Sequence, residues 1–181
     1  MSDRSAVNAT VQRVVAQFGA VDTLVNNAGI NTNPRSVADV NPADWDRTVA
    51  INLTGAFNYV RAVLPGMQQR KGGLIINVSS IAGVRASKVA GAAYCASKHG
   101  MMALNDSINH EEKNSGIRAC AICPGEVETP ILDQRPEPVG PEHRARIIQP
   151  EDIAATVLFV AGLPPRVHVP ELIIKPTSQS F

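Results

Sequence analysis

The sequence has almost no excess of charge of either sign and no long hydrophobic run. Its 181 residues carry a formal net charge of +1, which gives no electrostatic basis for binding nucleic acid or an anionic membrane. No apolar run approaches the ~20 residues of a membrane-spanning helix, and the first residues contain no apolar signal region. We therefore expect a cytoplasmic protein with neither nucleic acid nor membrane as a partner.

Cysteine is scarce, and the histidines show no metal-binding pattern. The three cysteines argue against a disulfide framework. Cys120 and Cys123 form a C-x-x-C within an apolar run typical of a strand, where side chains alternate between faces. The two thiols should therefore point in opposite directions, which argues against a redox pair. The histidines have no ligand spacing with one another or with carboxylates, so we predict no metal site.

Helix and strand patterns alternate along the chain. Its length and its 44% of hydrophobic residues suit a single domain with a sizeable core. Predicted helices lie between Asp3 and Gly19, from Pro42 to about Gln69, over 92–114 and from Pro150 to about Gly162; predicted strands lie over 21–25, 74–78, 117–123 and 171–175. This alternation predicts an α/β fold with helices on both faces of a parallel sheet.

Tyr94 and Lys98 are four residues apart on a predicted helix and therefore share one face of it. A phenol with a pKa near 10 is a poor acid–base at neutral pH, and a neighbouring ammonium lowers that pKa. The Ser80 hydroxyl, brought in from a strand end, would hold a carbonyl oxygen beside the phenol. This arrangement suits proton transfer coupled to hydride transfer. The alternative is a chance Tyr-x-x-x-Lys spacing without catalytic meaning.

Four further motifs accompany the Tyr-x-x-x-Lys pair. They are Asn-Asn-Ala-Gly at 26–29, Asn-Leu-Thr-Gly at 52–55, an apolar strand ending in two serines and Ile-Ala-Gly at 74–83, and Cys-Pro-Gly-Glu-Val-Glu-Thr-Pro at 123–130. In this order and at these spacings, the chain from about Asp3 to its C-terminus resembles the short form of the short-chain dehydrogenase/reductase family. The resemblance implies a Rossmann-like doubly wound parallel sheet.

The resemblance also implies roles for four catalytic residues. Tyr94 is the general acid–base, and Lys98 lowers its pKa while binding the nicotinamide ribose. Ser80 matches the catalytic serine, whereas Ser79 better fits a strand-end hydroxyl that satisfies a backbone group. Asn52 matches an asparagine that holds a water near the lysine; otherwise it is an ordinary hydrogen-bonded core residue.

The cofactor implied by the resemblance is NAD or NADP. The residues implied to bind it are Asn26, Ala28 and Gly29 on the adenosine side, Pro124, Gly125, Val127 and Thr129 around the nicotinamide, and Tyr94 with Lys98. Asn27 is interpreted instead as structural, bridging two strands. The resemblance also implies that the long proline-rich loop over 126–149 covers the substrate; loops of this length are usually functional or mobile.

A Gly-rich phosphate-binding turn is absent from this sequence. The family pattern Thr-Gly-x-x-x-Gly-x-Gly does not occur, and Gly72-Gly73 precedes a strand instead of following one. Our hypothesis is a single partial domain over 1–181, N-terminally truncated, with its first βαβ units of about 60 residues absent. In the family's sheet order, that loss would leave the strand ending at Val25 as an apolar edge. The residue that separates NAD from NADP would also be missing.

The leading functional hypothesis is an NAD(P)-dependent oxidoreductase that interconverts a secondary alcohol and a ketone. One alternative is a non-catalytic remnant that binds cofactor poorly and acts as an assembly or binding partner. Another is an epimerase or lyase that returns its cofactor unchanged.

Two further expectations concern the loop and the assembly. The basic residues of the loop region would either meet an anionic substrate or form a solvated face; they are Arg135, His143, Arg144 and Arg146. Relatives assemble through the helix that carries the tyrosine and the helix after the loop, so we expect a homodimer or homotetramer.

Overall fold

Six α-helices and four β-strands make up most of the regular structure of residues 1–179, the part of the chain that the computed structural model describes. The helices are α1 (Arg4–Phe18), α2 (Pro42–Val49), α3 (Gly55–Arg70), α4 (Ala92–Glu112), α5 (Pro141–Arg144) and α6 (Pro150–Ala161). The strands are β1 (Thr23–Asn26), β2 (Gly73–Val78), β3 (Ile117–Pro124) and β4 (Glu171–Ile174). All four predicted strands are present, with slightly shifted ends.

The strands form one parallel sheet in the order β1-β2-β3-β4. Thr23 of β1 lies opposite Leu74 of β2, and Gly73 lies opposite Ile117 of β3. Parallel strands need crossover connections. Here α2 and α3 connect β1 to β2, α4 connects β2 to β3, and α5 and α6 lie between β3 and β4. The predicted parallel α/β fold is confirmed.

Helices cover both faces of this sheet, because successive residues of the buried strands point in opposite directions. On one face, Ile75 packs against α1, α3 and α4 in a cluster with Val11, Val60, Val63, Met67, Ile108, Ile117 and Ala119. On the other face, Ile76 packs with Val160 of α6 and the strand residues Leu74, Cys120 and Ile122. The sheet is therefore doubly wound, as expected.

The two cysteines of the C-x-x-C motif lie on opposite faces of β3. Cys120 packs on the α6 side, whereas the Cys123 sulfur lies 3.5 Å from the sulfur of Met102 on α4. All three cysteines are free and buried. The expectation that the two thiols diverge is confirmed.

One predicted helix is interrupted. The sequence predicts a single helix beginning after Asn41, but a turn of π-helix at Ala50–Thr54 separates α2 from α3. The buried Asn52 side chain lies in this turn and hydrogen-bonds to Ile30 and Ser97, outside its own helix. Such turns are frequent at functional sites, and they re-aim a side chain within an otherwise continuous helix.

The segment 126–149 contains a short 3₁₀-helix at Pro130–Gln134 and the single-turn helix α5. Its arginines pair with acidic residues of the same segment: Arg135 with Glu126 at 3.0 Å, Arg144 with Glu128 at 2.9 Å, and Arg146 with Glu142 at 2.8 Å. Burial raises the pKa of Glu126, but hydrogen bonds from His143 and Arg135 outweigh it and leave that pKa below its ordinary value. These arginines therefore have their counter-ions within the segment.

Strand β1 lies at an edge of the sheet and pairs only with β2 among residues 1–179. Val25 in this strand is 41% exposed. Its unpaired backbone groups and apolar side chain agree with the edge that the sequence predicts.

Among residues 1–179, no helix combines the length and the apolar character needed to cross a membrane.

A chain of three buried asparagines ties the sheet together. The Asn26 side-chain amide donates to Asn77 Oδ1 at 2.9 Å, Asn77 donates to Asn105 Oδ1 at 3.2 Å, and Asn105 donates to the Pro170 carbonyl at 3.1 Å. The prediction that Asn27 bridges strands is wrong, because the register sets Asn26 opposite Asn77 and leaves Asn27 exposed. The hydrogen bonds of these three asparagines thus link β1, β2, α4 and the residue before β4.

We expect Asn77→Leu to lower the free energy of unfolding by about 2–4 kcal/mol, because it leaves Asn26 and Asn105 with unsatisfied buried groups. Urea denaturation of the variant and the parent measures this loss. Asn8→Leu, at an exposed position of α1, is the matched control and should change stability by less than about 0.5 kcal/mol. Equal effects of the two substitutions would contradict a structural role for the asparagine chain.

Candidate active site

The residues singled out from the sequence gather at the carboxyl edge of the parallel sheet. Strand β1 ends at Asn26, β2 at Val78 and β3 at Pro124, and in a parallel sheet these ends lie on the same side. Helix α4 brings its first turns to this edge by packing against β3 and against the 3₁₀-helix Ile81–Gly83. In open α/β sheets this edge is the usual position of a ligand site.

Tyr94 and Ser80 form a hydrogen-bonded pair. Tyr94 lies in the first turn of α4, and its phenol hydrogen-bonds to the Ser80 side chain. Ser80 is the second residue after β2 and has an extended backbone, and its hydroxyl accepts from the Ala82 N–H at 3.1 Å. This capping bond fixes the hydroxyl next to the phenol. The two oxygens can therefore both approach one substrate atom.

Ser79 has the structural role that the sequence suggests for it. Its hydroxyl donates to the backbone carbonyl of Lys98 at 3.2 Å. A Cβ added at Gly83 would lie 2.6 Å from the Ser79 hydroxyl and 2.7 Å from that same carbonyl. Glycine at this position thus allows the segment after β2 to approach α4 closely, and this approach brings Ser80 to Tyr94.

Lys98 lies one turn after Tyr94 and is almost completely buried. Its ammonium donates to the Val78 carbonyl at 2.8 Å and lies 5.6 Å from the centroid of the Tyr94 ring. Burial, opposed by Cys123, lowers the pKa of Lys98 to about 8. The shared helix face predicted for Tyr94 and Lys98 is thus present in the structure.

The pKa of Tyr94 moves in the direction opposite to the one that the sequence suggests. Burial raises it, and this effect outweighs the hydrogen bond from Ser80 and the charge of Arg35, which both lower it. The expected lowering by Lys98 is therefore wrong for this structure. The ammonium bonds to Val78 beside the ring, and desolvation of the phenolate dominates.

Asn52 connects the loop after β1 to α4. Its side-chain oxygen accepts from the Ile30 N–H at 2.8 Å, and its amide donates to the Ile30 carbonyl at 2.9 Å and to the Ser97 hydroxyl at 3.1 Å. All of its side-chain hydrogens are therefore used within the protein. Asn52 positions the loop that carries Ala28 and Gly29 against the helix that carries Lys98.

The residues after β3 lie beside the C-terminal part of the described chain. The Gly125 N–H donates to the Ile174 carbonyl at 2.8 Å, and a Cβ at Gly125 would lie 2.9 Å from Lys175 Cβ. Val127 forms an isolated parallel bridge with Ile148, and the Thr129 hydroxyl lies 3.5 Å from the Val127 carbonyl. Pro124 ends the strand, so these four residues follow the same sheet edge as Ser80.

Arg35 is a buried charged residue near Tyr94 that the sequence analysis missed. It is only 7% exposed and lies on the wall of a cavity of about 660 Å³. Its guanidinium interacts electrostatically with Tyr94. Nothing in the local sequence distinguishes this arginine from a surface residue of a loop, since its burial depends on contacts made with distant segments.

The buried Lys98 should make stability depend on pH. A lysine with a lowered folded pKa destabilises the folded state below that pKa, and the penalty disappears as pH rises from about 8 towards the ordinary value. The shift from 10.5 to about 8 corresponds to ~3 kcal/mol. We expect Lys98→Met to be more stable than the parent at pH 7, after a loss of about 1 kcal/mol for the Val78 hydrogen bond, and to lose this advantage by pH 10.

Urea unfolding at both pH values measures the difference, with Lys113→Met as the matched control at an exposed position. An equal stability difference between variant and parent at pH 7 and pH 10 would contradict the account of a buried charge.

Comparison with known proteins gives a consistent set of relatives. A family model described as short chain dehydrogenase matches residues 1–139. A 3-oxoacyl-[acyl-carrier-protein] reductase of Thermotoga maritima is 34% identical over 167 residues, which cover 90% of this chain and 67% of the relative. A D-beta-hydroxybutyrate dehydrogenase of Cupriavidus necator is 35% identical over 179 residues, covering 90% of this chain and 69% of the relative.

Solved structures share the fold over nearly the whole chain. A serine dehydrogenase complexed with NADP+ superposes with a TM-score of 0.90 at 27% identity, covering 99% of this chain and 75% of that one. An alcohol dehydrogenase from Thermococcus sibiricus, complexed with 5-hydroxy-NADP, superposes with a TM-score of 0.86 at 25% identity, covering 99% and 73%.

Proposed function

Because the chain belongs to the short-chain dehydrogenase family, we propose that it interconverts a secondary alcohol and a ketone with NAD or NADP as the hydride carrier. The observation that carries this proposal is the Ser80–Tyr94 hydrogen bond, with Lys98 buried beside the phenol ring. Two hydroxyls and an ammonium at the carboxyl edge of a parallel sheet suit proton transfer to and from a carbonyl oxygen.

The residues at this edge fit the nicotinamide end of the cofactor. A Cβ at Gly29 would lie 3.5 Å from both Asn52 Oδ1 and Lys98 Nζ, so glycine leaves open space beside the ammonium. Lys98 uses one of its three N–H bonds on Val78, which leaves two for ribose hydroxyls. The side-chain oxygen of Asn26 is buried without a partner among residues 1–179.

We propose that Lys98 and Tyr94 hold the ribose, that Asn26, Ala28 and Gly29 line the adenosine side, and that Pro124, Gly125, Val127 and Thr129 flank the nicotinamide. Bound there, the nicotinamide would accept or supply the hydride. NAD and NADP are both kept in the proposal. The two solved relatives described above are complexes with NADP+ and 5-hydroxy-NADP, which supports a nicotinamide dinucleotide in general.

The proposed proton chemistry belongs to Tyr94. During ketone reduction its phenol donates the proton to the carbonyl oxygen, and during alcohol oxidation the phenolate takes the proton back. Ser80 holds the same oxygen by a hydrogen bond, and Asn52 is a positioning residue that fixes the surrounding loop. Burial raises the pKa of Tyr94, so the phenol carries a proton at neutral pH, which reduction uses and oxidation must first remove.

We expect Tyr94→Phe to lower kcat for ketone reduction by about 10²-fold or more, because it removes the proton donor. NADH and NADPH binding should weaken by about tenfold at most, since only one hydrogen bond to the ribose is lost and Lys98 still holds it. Initial rates with a panel of ketones give the first value, and calorimetry gives the second. Tyr59→Phe, which removes the only other phenol, is the matched control and should leave kcat unchanged.

The other two hypotheses predict different results. A parent protein that neither binds NADH or NADPH nor turns over any ketone would favour a non-catalytic binding partner over the proposed oxidoreductase. Conversion of a substrate with the cofactor returned in its original redox state would favour an epimerase or lyase. Loss of cofactor binding in Tyr94→Phe would show that its effect is not limited to proton transfer.

We also propose a homodimer or homotetramer. The supporting observation is that α6, the helix after the segment 126–149, exposes two large apolar side chains: Leu158 is 72% and Phe159 is 56% exposed. Burying such a pair against another copy removes apolar surface from water.

We expect light scattering to give a mass of two or four chains for the parent protein. The double substitution Leu158→Ser, Phe159→Ser should lower that mass. A monomeric parent protein would overturn this expectation.

A further inference from the structure

Arg35 lies where three loops meet. Its guanidinium donates from one terminal nitrogen to the Val89 carbonyl at 3.0 Å and from the other to the Gln134 carbonyl. Its own carbonyl accepts from the Ala92 N–H at the start of α4. A Cβ at Gly91, whose φ is +82°, would lie 2.6 Å from Arg35 Cβ. The arginine is therefore fixed against the turn that leads into the helix of Tyr94.

The charge of Arg35 has no carboxylate partner in the described part of the chain. Its two hydrogen-bond acceptors are neutral carbonyls, and its Nε is buried without a partner among residues 1–179. The ion pairs within these residues do not include Arg35. Arg135, its charged neighbour, adds a like charge but is itself paired with Glu126 at 3.0 Å. One buried positive charge thus remains uncompensated.

Buried charges are normally paired, because removing an ion from water is expensive without a counter-ion. Burial and the charge of Arg135 lower the pKa of Arg35, and Tyr94 opposes them. Two acidic residues, Asp39 and Glu137, also line the cavity, but both are exposed to solvent. They do not reach the guanidinium, so they leave its charge uncompensated.

We propose that Arg35 binds a carboxylate of the substrate, so that the alcohol and ketone are a hydroxy acid and the corresponding keto acid. This inference rests on the proposed function. A guanidinium fork matches a planar carboxylate, and each terminal nitrogen keeps one hydrogen for it. A monoanion matches the one buried charge without a counter-ion; Lys88 also lines the cavity, but it is exposed to solvent. The cavity of about 660 Å³ beside Arg35 is large enough for a small organic acid. Its lining does not include Tyr94 or Ser80, so the hydroxyl end of the bound acid would extend from this cavity towards Tyr94.

A purely structural role for Arg35 makes a different prediction. If Arg35 only connects the loops of Val89 and Gln134 by hydrogen bonds, it contributes to stability, and the protein has no reason to prefer an acid substrate over its ester. A comparison of acid and ester substrates in the unsubstituted protein therefore separates the two roles before any variant is made.

The experiment uses short hydroxy acids with the hydroxyl on carbon 2, 3 or 4, each measured beside its methyl ester. We expect kcat/KM with NAD or NADP to favour at least one acid over its ester by about 10²-fold, because the ester leaves the buried guanidinium unpaired. Arg35→Gln should reduce this preference to within about fivefold, and Arg35→Lys should give an intermediate value, since it keeps the charge and loses the fork. Arg61→Gln, at an exposed position of α3, should keep the full preference.

Calorimetry with the same acids makes the test independent of turnover. If esters and acids are oxidised equally by the parent protein, the carboxylate site is overturned while the oxidoreductase proposal stands. A folded Arg35→Gln variant that keeps the preference also overturns it. If no alcohol is oxidised, the proposed function fails, and the binding measurement alone tests the carboxylate site. An acid that binds to the parent but not to Arg35→Gln supports the carboxylate site. Absence of binding to the parent overturns it.

Discussion

The burial of one ammonium group beside one phenol is the constraint on which the site depends. Lys98 has to reach the Val78 carbonyl at the end of β2 while its helix presents Tyr94 to Ser80. This requires close contact between α4 and the segment after β2, which Gly83 permits. The same contact removes water from both groups, lowering the pKa of the lysine and raising that of the tyrosine. The site thus holds the Lys98 ammonium, whose charged form is destabilised by burial, beside the phenol that would transfer the proton.

Buried amides hold this arrangement in place. Asn52 connects the loop after β1 to α4, and the chain from Asn26 through Asn77 to Asn105 connects the strands to that same helix. Each of these hydrogen bonds adds little net stability, but a substitution that leaves its buried partner unsatisfied costs considerably more free energy of unfolding. A hydrophobic contact would tolerate small shifts, whereas these hydrogen bonds fix direction and distance. The sheet edge and α4 are therefore kept in register, which keeps Tyr94, Ser80 and the loop after β1 in fixed relative positions.

Local signals in the sequence predicted the elements and the residues that lie on them. Apolar periodicity and capping positions predicted four parallel strands with helices on both faces, and the four-residue spacing predicted a shared face for Tyr94 and Lys98. What depends on distant contacts was not predictable. The π-turn around Asn52 follows from bonds to other segments, the burial of Arg35 follows from three loops meeting, and the pKa of Tyr94 follows from its desolvation rather than from the nearest charge in the sequence.

The charges around Tyr94 also bear on the direction of the proposed reaction. Arg35 lowers the pKa of the phenol, although burial outweighs it. A carboxylate bound at Arg35 would cancel that contribution and raise the pKa of Tyr94 further. The phenol would then stay protonated while a hydroxy or keto acid is bound, which supplies the proton that reduction consumes but makes the phenol a weaker acid. Oxidation would need a phenolate formed against both burial and the bound anion, so alkaline pH should favour it.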